Sequence, residues 1–482
     1  MKMYKIMTLF LLVSVIFACS DWLEVDPKFR IKEEKIFNSE DGFKEALLGV
    51  YDKMAQADLY GEKLTTGFVD ILGQRYATAS SSYKYRYVGS YNYTANEVVA
   101  QIDSIWNKMY NAIANCNNVL DQIDSKKELF TGNNYDLIKG ELLALRAYMH
   151  FDLLRLFGPV DMEDSRMCLR YYDHFTLEIL PPFLTAEQFA QKVLGDVQAA
   201  ETCLAKDPIL SQNPRGRDNA DAFWSYRFNR LNYYAVRALY ARIQIYLGET
   251  GEARRAALEV IEVANEKRGD ETVFPWVTYG EANDMLNPDR IFHKEVVFGM
   301  YVSSLTTWTN SLFQNMLTQD ILMPHKDRLA ELFPNVTDYR ARWFGNIPSR
   351  SDRVVIKYLD PAETNKFLFE KVMPMIRLSE MYLIAAECAD SPADGIENYI
   401  NRILVNRGLL GVSGTEDLSV VLSLLYAQEF YAEGQLFYFY KRKKMTSIRD
   451  GNSKNQLTMK LENYVLPLPD DELKYTNEGE LD

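Results

Sequence analysis

Apolar side chains recur every three or four residues along much of this chain, which is the spacing of one face of an α-helix. The clearest run is 135–157, where two faces are apolar, so we predict a helix that is covered on two sides. Gly158 and Pro159 should end it, since glycine accepts a left-handed cap and proline cannot continue the hydrogen-bond ladder. The same spacing predicts further helices at the following positions: 105–123, 231–247, 252–265, 375–389 and 396–407.

These helices are expected to pair as hairpins. Short turns at 132–134 and 249–251 separate neighbouring helices, and small residues such as Ala253 and Ala257 stand at facing positions, where they allow close approach. This arrangement is typical of tetratricopeptide-like helix pairs. We therefore predict a mainly α fold, an array of such pairs within one domain over 19–482.

Three long intervals interrupt the helical spacing, at about 60–100, 159–229 and 267–372. They are rich in Tyr, Trp, Pro, Gly, Asn and Ser, and within them 296–302 and 353–358 have the composition of short strands. Loops longer than about 15 residues are usually functional or disordered. Their aromatic content argues against disorder, so we look for function in these insertions.

The N-terminus has the pattern of a lipoprotein signal. Lys2 and Lys5 precede an apolar run over 9–18, and Cys19 follows Ala18. A membrane-spanning helix needs about 20 apolar residues, so a run of this length suits a cleaved signal peptide better. We interpret 1–18 as the signal and Cys19 as the lipidated first residue of the mature protein. The alternative is an ordinary signal peptide with an incidental cysteine.

Charge and composition narrow the possible partners. The net charge of −13 repels phosphate backbones, which argues against nucleic acid, whereas 31 Tyr, 25 Phe and 6 Trp favour a surface that stacks on a ligand. Four further cysteines form no CxxC pair, so their pairing stays open. They are Cys116, Cys168, Cys203 and Cys388.

No sequence motif of catalysis or cofactor binding is found, and we predict a protein that is not an enzyme and that holds no cofactor or metal. The four histidines (His150, His174, His293 and His325) have no ligand spacing. His150 lies in the apolar helix and is interpreted as a satisfied core residue. With 67 carboxylates, no spacing singles out a glycosidase pair.

The candidate ligand residues are aromatic. Tyr83, Tyr85 and Tyr91 belong to a polar, tyrosine-rich stretch, and Trp276 and Trp308 lie in the third insertion. Rings of this kind stack on flat apolar faces, while arginine supplies directed hydrogen bonds, which makes Arg75 a weaker candidate. The alternatives are an edge strand for the tyrosines, whose alternating rings cover the helices, and core positions for the tryptophans.

Several segments, in order along the chain, resemble the SusD/RagB family of outer-membrane nutrient-binding lipoproteins. They are Asp21–Pro27 (DWLEVDP), 46–51 (ALLGVY), the Trp106-x3-Tyr110-x2-Ile113-x-Asn115 pattern, Glu141-x3-Leu145-Arg146-Ala147-Tyr148 continuing to Gly158, 377–387 (RLSEMYLIAAE) and 464–473 (YVLPLPDDEL). Glu429-Phe430-x2-Glu433-Gly434 also fits, but Leu436 and Phe439 stand where the family usually has Arg and Asp, and the usual ending is missing.

The resemblance implies a cell-surface lipoprotein of the outer membrane, anchored through Cys19. Such a protein captures oligosaccharides and delivers them to a SusC-type TonB-dependent transporter. Three alternatives remain: an oligopeptide-binding member of the same family, a helical lipoprotein glycosidase or lyase, and a scaffold that binds only protein partners. Identity of the ligand does not follow from the sequence.

Overall fold

The fold is taken from a computed structural model, which describes 36–80, 83–175, 180–217, 219, 221–314, 321–346, 352–359 and 371–474. The predicted signal peptide and Cys19 lie outside the described residues, and the lipidation site stays a prediction.

Helices make up most of the described chain. In chain order they are α1 Glu40–Met54, α2 Phe68–Leu72, α3 Arg86–Gly89, α4 Asn96–Ile123, α5 Asn134–Phe157, α6 Ala186–Cys203, α7 Tyr233–Leu247, α8 Thr250–Ala264, α9 Tyr279–Ala282, α10 Leu305–Phe313, α11 Lys326–Leu332, α12 Leu378–Glu387, α13 Pro392–Asp394, α14 Asn401–Val405, α15 Leu418–Glu429, α16 Leu436–Arg442 and α17 Asp470–Lys474. A π-helical turn, Gly395–Ile400, joins α13 to α14.

Strands are short, and in the described residues they form five antiparallel pairs. The pairs are β1 Met167–Arg170 with β2 Phe183–Thr185, β3 Lys267–Arg268 with β4 Glu271–Thr272, β5 Val296–Tyr301 with β8 Val372–Arg377, β6 Phe344–Asn346 with β7 Arg353–Val355, and β9 Ser447–Arg449 with β10 Gln456–Thr458.

The long helices pack side by side. α4 packs on α5, α5 on α6, α7 on α8, and α8 on α12, which in turn contacts the π-helical turn. α5 lies in the middle of its neighbours, with 21 of its residues buried, in agreement with the predicted apolar residues on two faces. The predicted mainly α, helical-repeat fold is confirmed.

Individual helix ends differ from the prediction in two places. The segment predicted as helix from 375 begins as strand, because Val372–Arg377 pairs with Val296–Tyr301 and only Leu378–Glu387 is helical. Gly158 ends α5 with extended backbone (φ −70°, ψ 164°) and not in a left-handed cap. Extended backbone is the conformation favoured by a residue that precedes proline, here Pro159. Gly248 does adopt the predicted left-handed cap, with φ at +86°.

The predicted insertions are mostly loops with short elements. The interval 159–229 is an exception, since it contains the whole of α6, a helix of the repeat that begins with a Thr185 capping box. The strand predicted at 296–302 is present as β5, whereas only 353–355 of the second predicted strand is extended.

Candidate functional site

The family-like residues of α5 hold the fold together and are not available to a ligand. Glu141 is fully buried and accepts hydrogen bonds from Tyr51, Arg227 and Arg230. Burial raises the pKa of Glu141, but Arg230 and Arg227 outweigh it and the pKa ends below its usual value. Five residues further along α5, Arg146 makes a bidentate ion pair with Asp196 at 2.6 and 2.7 Å.

A second buried charge cluster contains the RLSE and EFxxEG segments. Glu429 accepts hydrogen bonds from three arginines, Arg340, Arg377 and Arg407, at 2.8–3.0 Å. Glu295 pairs with Arg407 as well, at 2.7 Å. Burial opposes ionisation of Glu429, yet the three guanidinium groups lower its pKa well below the usual range. The sequence motifs of the resemblance thus encode internal ion pairs.

His150 is a satisfied core residue, as predicted. It is fully buried, its Nδ1 lies 3.0 Å from the carbonyl oxygen of Arg146, and its Nε2 accepts a hydrogen bond from the backbone N–H of Tyr172. Burial lowers its pKa well below the usual value, and nearby Arg146 adds to the shift.

The tyrosine-rich stretch is not an edge strand. Turns and the short helix α3 occupy it, so the alternative interpretation as alternating strand residues is wrong. The hydroxyl of Tyr83 donates to the carbonyl of Ile321 at 2.6 Å, and the rings of Tyr83 and Tyr85 meet edge-on with centroids 5.6 Å apart. The ammonium of Lys84 lies 4.5 Å from the Tyr85 ring centroid, as in a cation–π contact.

Trp308 lies in the same part of the molecule as Tyr83 and Tyr85. Tyr83 is bonded to Ile321, whose neighbour Leu322 donates its N–H to Leu312, one turn beyond Trp308 on α10. The Trp308 ring also lies against Gly61, where an added Cβ would be 2.2 Å from ring atom Cζ3. A side chain at position 61 would therefore displace the indole ring.

Glu62, next to Gly61, provides a second link between this region and the tyrosine-rich stretch. Lys84 lies within electrostatic reach of the Glu62 carboxylate. Burial raises the pKa of Glu62, although Lys63 and Lys84 act in the opposite direction. We call Tyr83, Tyr85 and Trp308 the aromatic surface. Each of the three residues is partly exposed. The ammonium of Lys84 lies against the Tyr85 ring, and Glu62 follows Gly61, which contacts Trp308.

The other predicted site residues lie elsewhere. Tyr91 is partly exposed, but its hydroxyl donates to the carbonyl of Leu72 and its ring contacts Tyr93. Arg75 is only 5% exposed, and its guanidinium donates hydrogen bonds to the carbonyls of Tyr426 and Ala427 on α15.

Trp276 is the third predicted site residue that lies away from the aromatic surface. Its ring packs on Tyr382 with centroids 5.1 Å apart, and the Arg407 guanidinium lies 5.1 Å from the ring centroid. The structure brings Trp276 to the buried charge cluster and not to the aromatic surface.

Tyr301 is an exposed ring that the sequence pattern did not single out. Tyr301, the last residue of β5, is 55% exposed and stands seven residues before Trp308. It was hidden within an apolar strand pattern, where a single outward-facing ring gives no separate signal.

Two cavities among the described residues, of about 670 and 640 Å³, share no lining residue with the aromatic surface. The first lies between the end of α5 and the closing segment 461–468. Its walls combine aliphatic and proline side chains with four charged residues, Asp161, Asp164, Arg166 and Glu462. Phe157 is the aromatic residue of this lining, and it is buried. The cavity therefore offers little ring surface on which a ligand could stack.

Within the described residues there is no cluster of His, Cys, Asp or Glu able to hold a metal ion, and no helix has the length and apolar character needed to cross a bilayer. The four described cysteines are free thiols.

Solved structures of SusD superfamily proteins share this fold. A SusD superfamily protein from Bacteroides thetaiotaomicron superposes with a TM-score of 0.70, covering 91% of this chain and 98% of that one at 20% identity. Surface glycan-binding protein A from Bacteroides fluxus superposes at a TM-score of 0.65, over 92% of this chain and 98% of that one, at 14% identity.

Sequence comparison agrees with the fold. Residues 21–215 match the SusD-like family model described as starch-binding and associating with the outer membrane. SusD-like protein P25 of Formosa agariphila is 20% identical over 84% of this chain and 81% of its own length. The predicted resemblance to the SusD/RagB family is confirmed.

Proposed function

We propose that this protein captures oligosaccharides at a cell surface through the aromatic surface of Tyr83, Tyr85 and Trp308. One observation carries the proposal: three partly exposed rings lie on two insertions that are distant in sequence, and the Tyr83–Ile321 hydrogen bond and the Gly61–Trp308 contact join these insertions. Aromatic faces fit the apolar side of a sugar ring, while Glu62 and Lys84 provide polar groups for its hydroxyls. The description of the family as starch-binding supports a glycan ligand.

The rings are held in place before a ligand arrives. Tyr83 is fixed by its hydrogen bond to Ile321, and Trp308 by its contact with Gly61. A preformed site loses less conformational entropy on binding than one that must be ordered. Affinity then comes from stacking and hydrogen bonding, and no bond needs to be made or broken.

The test is calorimetric titration of the purified protein lacking residues 1–18 with a panel of neutral and acidic oligosaccharides and with oligopeptides. Saturable heat with a glycan supports the proposal. Saturable heat with peptides alone would support the oligopeptide-binding alternative. Absence of saturable heat with both glycans and peptides would support the alternative of a scaffold that binds only protein partners.

The glycosidase alternative can be tested on one carboxyl pair. Glu62 has a raised pKa and Asp58, within electrostatic reach of it, has a lowered one, which is the pattern that an acid and a base would need. We expect no product from any glycan that binds, in the wild type or in Glu62→Gln. Product that accumulates in proportion to wild-type protein and vanishes in Glu62→Gln would establish an enzyme.

We further propose that the captured glycan passes to a SusC-type TonB-dependent transporter, with the protein held at the outer membrane by lipid on Cys19. The support is the family description as outer-membrane-associated. Gentle detergent extraction should co-purify a large barrel protein through an interface well above the standard size of about 1,600 Å². Recovery of the free monomer alone would contradict this assignment.

A further inference from the structure

A cavity of about 640 Å³ opens between the loop that follows α9 and the β6–β7 hairpin. Three arginines are among the residues that line it, Arg290, Arg342 and Arg353, whereas Asp284 is the one acidic residue of the lining. The volume lies in the range of small-ligand sites. In a chain with a net charge of −13, three guanidinium groups around one cavity form a local region of opposite sign.

Among the described residues, none of the three arginines forms an ion pair with a carboxylate. Arg290 is half-buried, and no described residue accepts a hydrogen bond from it or pairs with it. Burial lowers the pKa of the Arg290 guanidinium. Burial also lowers the pKa of Arg353, and neighbouring Arg342 lowers it further. A partly desolvated cation without a counter-charge is unfavourable, and a bound anion would remove that cost.

The walls of the cavity are fixed by hydrogen bonds. Nε of Arg342 donates to Oδ1 of Asn283 at 3.0 Å, which joins the two sides. Nη2 of Arg353 donates to the carbonyls of Ala341 and Phe344 at 3.0 and 2.6 Å, which holds the hairpin. Asp284 uses its Oδ1 to accept the backbone N–H groups of Leu286 and Asn287, so this oxygen is engaged within its own loop.

Apolar groups complete the cavity on its outer side. Met285 and Val336 line it and are 98% and 88% exposed, which is unusual for two large apolar side chains at one opening. A ligand with an apolar face and a negatively charged group would cover both side chains while it neutralises the arginines.

We infer that this cavity is a second binding site, which takes the carboxylate or sulfate group of an acidic oligosaccharide. Arginine suits both groups, because its planar fork donates two parallel hydrogen bonds to paired oxygens. The inference rests on the proposed glycan-binding function and makes it more specific, since it adds charge to the ligand. The cavity lining and the aromatic surface share no residue, so each can be altered without the other.

The test compares three ligands on the protein lacking residues 1–18: an oligogalacturonate, a sulfated carrageenan oligosaccharide and a neutral maltooligosaccharide. The variant is Arg290→Gln with Arg342→Gln, which leaves Arg353 to hold the hairpin. Arg402→Gln is the matched control, because Arg402 is exposed on α14 outside the cavity lining. Calorimetry at fixed salt gives the affinities, and thermal unfolding checks the fold.

We expect the double variant to bind an acidic ligand at least tenfold more weakly, as lost charge-assisted hydrogen bonds imply, and the neutral ligand unchanged. Weaker binding of the oligogalacturonate would indicate that the cavity takes a carboxylate, and weaker binding of the carrageenan oligosaccharide would indicate a sulfate. An unchanged affinity for both acidic ligands, or equal weakening by Arg402→Gln, would overturn the inference. If the neutral ligand binds and both acidic ligands fail, this inference alone is lost; if no glycan binds, the proposed function is lost with it.

Discussion

Two tryptophans of one insertion have different surroundings. Trp308 lies beside Gly61, whose missing side chain leaves room for the indole ring. Trp276 packs between Tyr382 and the Arg407 guanidinium, next to the buried charge cluster. Both are partly exposed, so exposure does not separate them, and their contacts do.

This difference leads to a prediction at the residue scale. Trp308→Ala should weaken glycan binding about tenfold, since a stacked ring contributes roughly 1 kcal/mol or more, and should leave the fold intact. Trp276→Ala is the matched control and should lower the melting temperature with little change in affinity. Calorimetry and thermal unfolding measure the two effects. The reverse pattern, with affinity lost only in Trp276→Ala, would place the ligand site at Trp276 and not at the aromatic surface.

At the scale of elements, ion pairs join parts of the chain that are distant in sequence. Glu141 on α5 binds Arg227 and Arg230, which lie at and just beyond the end of the second insertion. Glu429 on α15 binds three arginines from separate earlier segments: Arg340 after α11, Arg377 at the end of β8 and Arg407 after α14. Removing one partner of a buried pair leaves an uncompensated charge, which is more costly than loss of a surface pair.

The second prediction follows from this cost. Glu429→Gln should lower the free energy of unfolding by about 3–5 kcal/mol, because three buried guanidinium groups lose a shared counter-charge. Glu259→Gln is the control: its carboxylate pairs with Arg237 and Arg255 but is 41% exposed, so its loss should cost about 1 kcal/mol or less. Chemical denaturation of both variants measures the difference. Equal costs would show that the cluster is not what stabilises this end of the array.

The elements themselves were predictable where one local signal dominates. The apolar spacing over 135–157 and the left-handed Gly248 are local, and the helices are found there. The strand at 372–377 was predicted in part as helix, since its conformation comes from pairing with Val296–Tyr301, some 75 residues away. Partial exposure of the site rings was expected. Burial of Arg75 was not, because it depends on hydrogen bonds to carbonyls of α15, about 350 residues away, which a local pattern does not reveal.

At the scale of the whole molecule, buried carboxylates link stability to pH. The pKa of Glu141 lies below its usual value because Arg230 and Arg227 outweigh the effect of burial. Below the usual glutamate pKa of about 4.5, the unfolded chain therefore binds a proton that the folded chain does not. The stability contributed by Glu141 is present above that pH and is lost as the pH falls through the folded-state value.

We therefore predict that the stability difference between the wild type and Glu141→Gln shrinks as the pH is lowered from 6 towards 3. Urea denaturation at a series of pH values measures it. Glu252→Gln, which changes an exposed surface carboxylate, should differ from the wild type by little at any pH. A Glu141→Gln difference that stays constant across this range would mean that Glu141 titrates alike in the folded and unfolded chains.

Where the protein acts depends on its N-terminus. An apolar run over 9–18 followed by Cys19 predicts cleavage and acylation, and two or more acyl chains anchor firmly where a single chain holds only marginally. Cys19→Ala should therefore lose acyl labelling and leave the membrane fraction. Cys388→Ala, which replaces a partly buried free thiol, should remain labelled and membrane-bound. If Cys19→Ala keeps both its label and its membrane retention, the lipid is carried elsewhere, and the sequence before Cys19 is only a secretion signal.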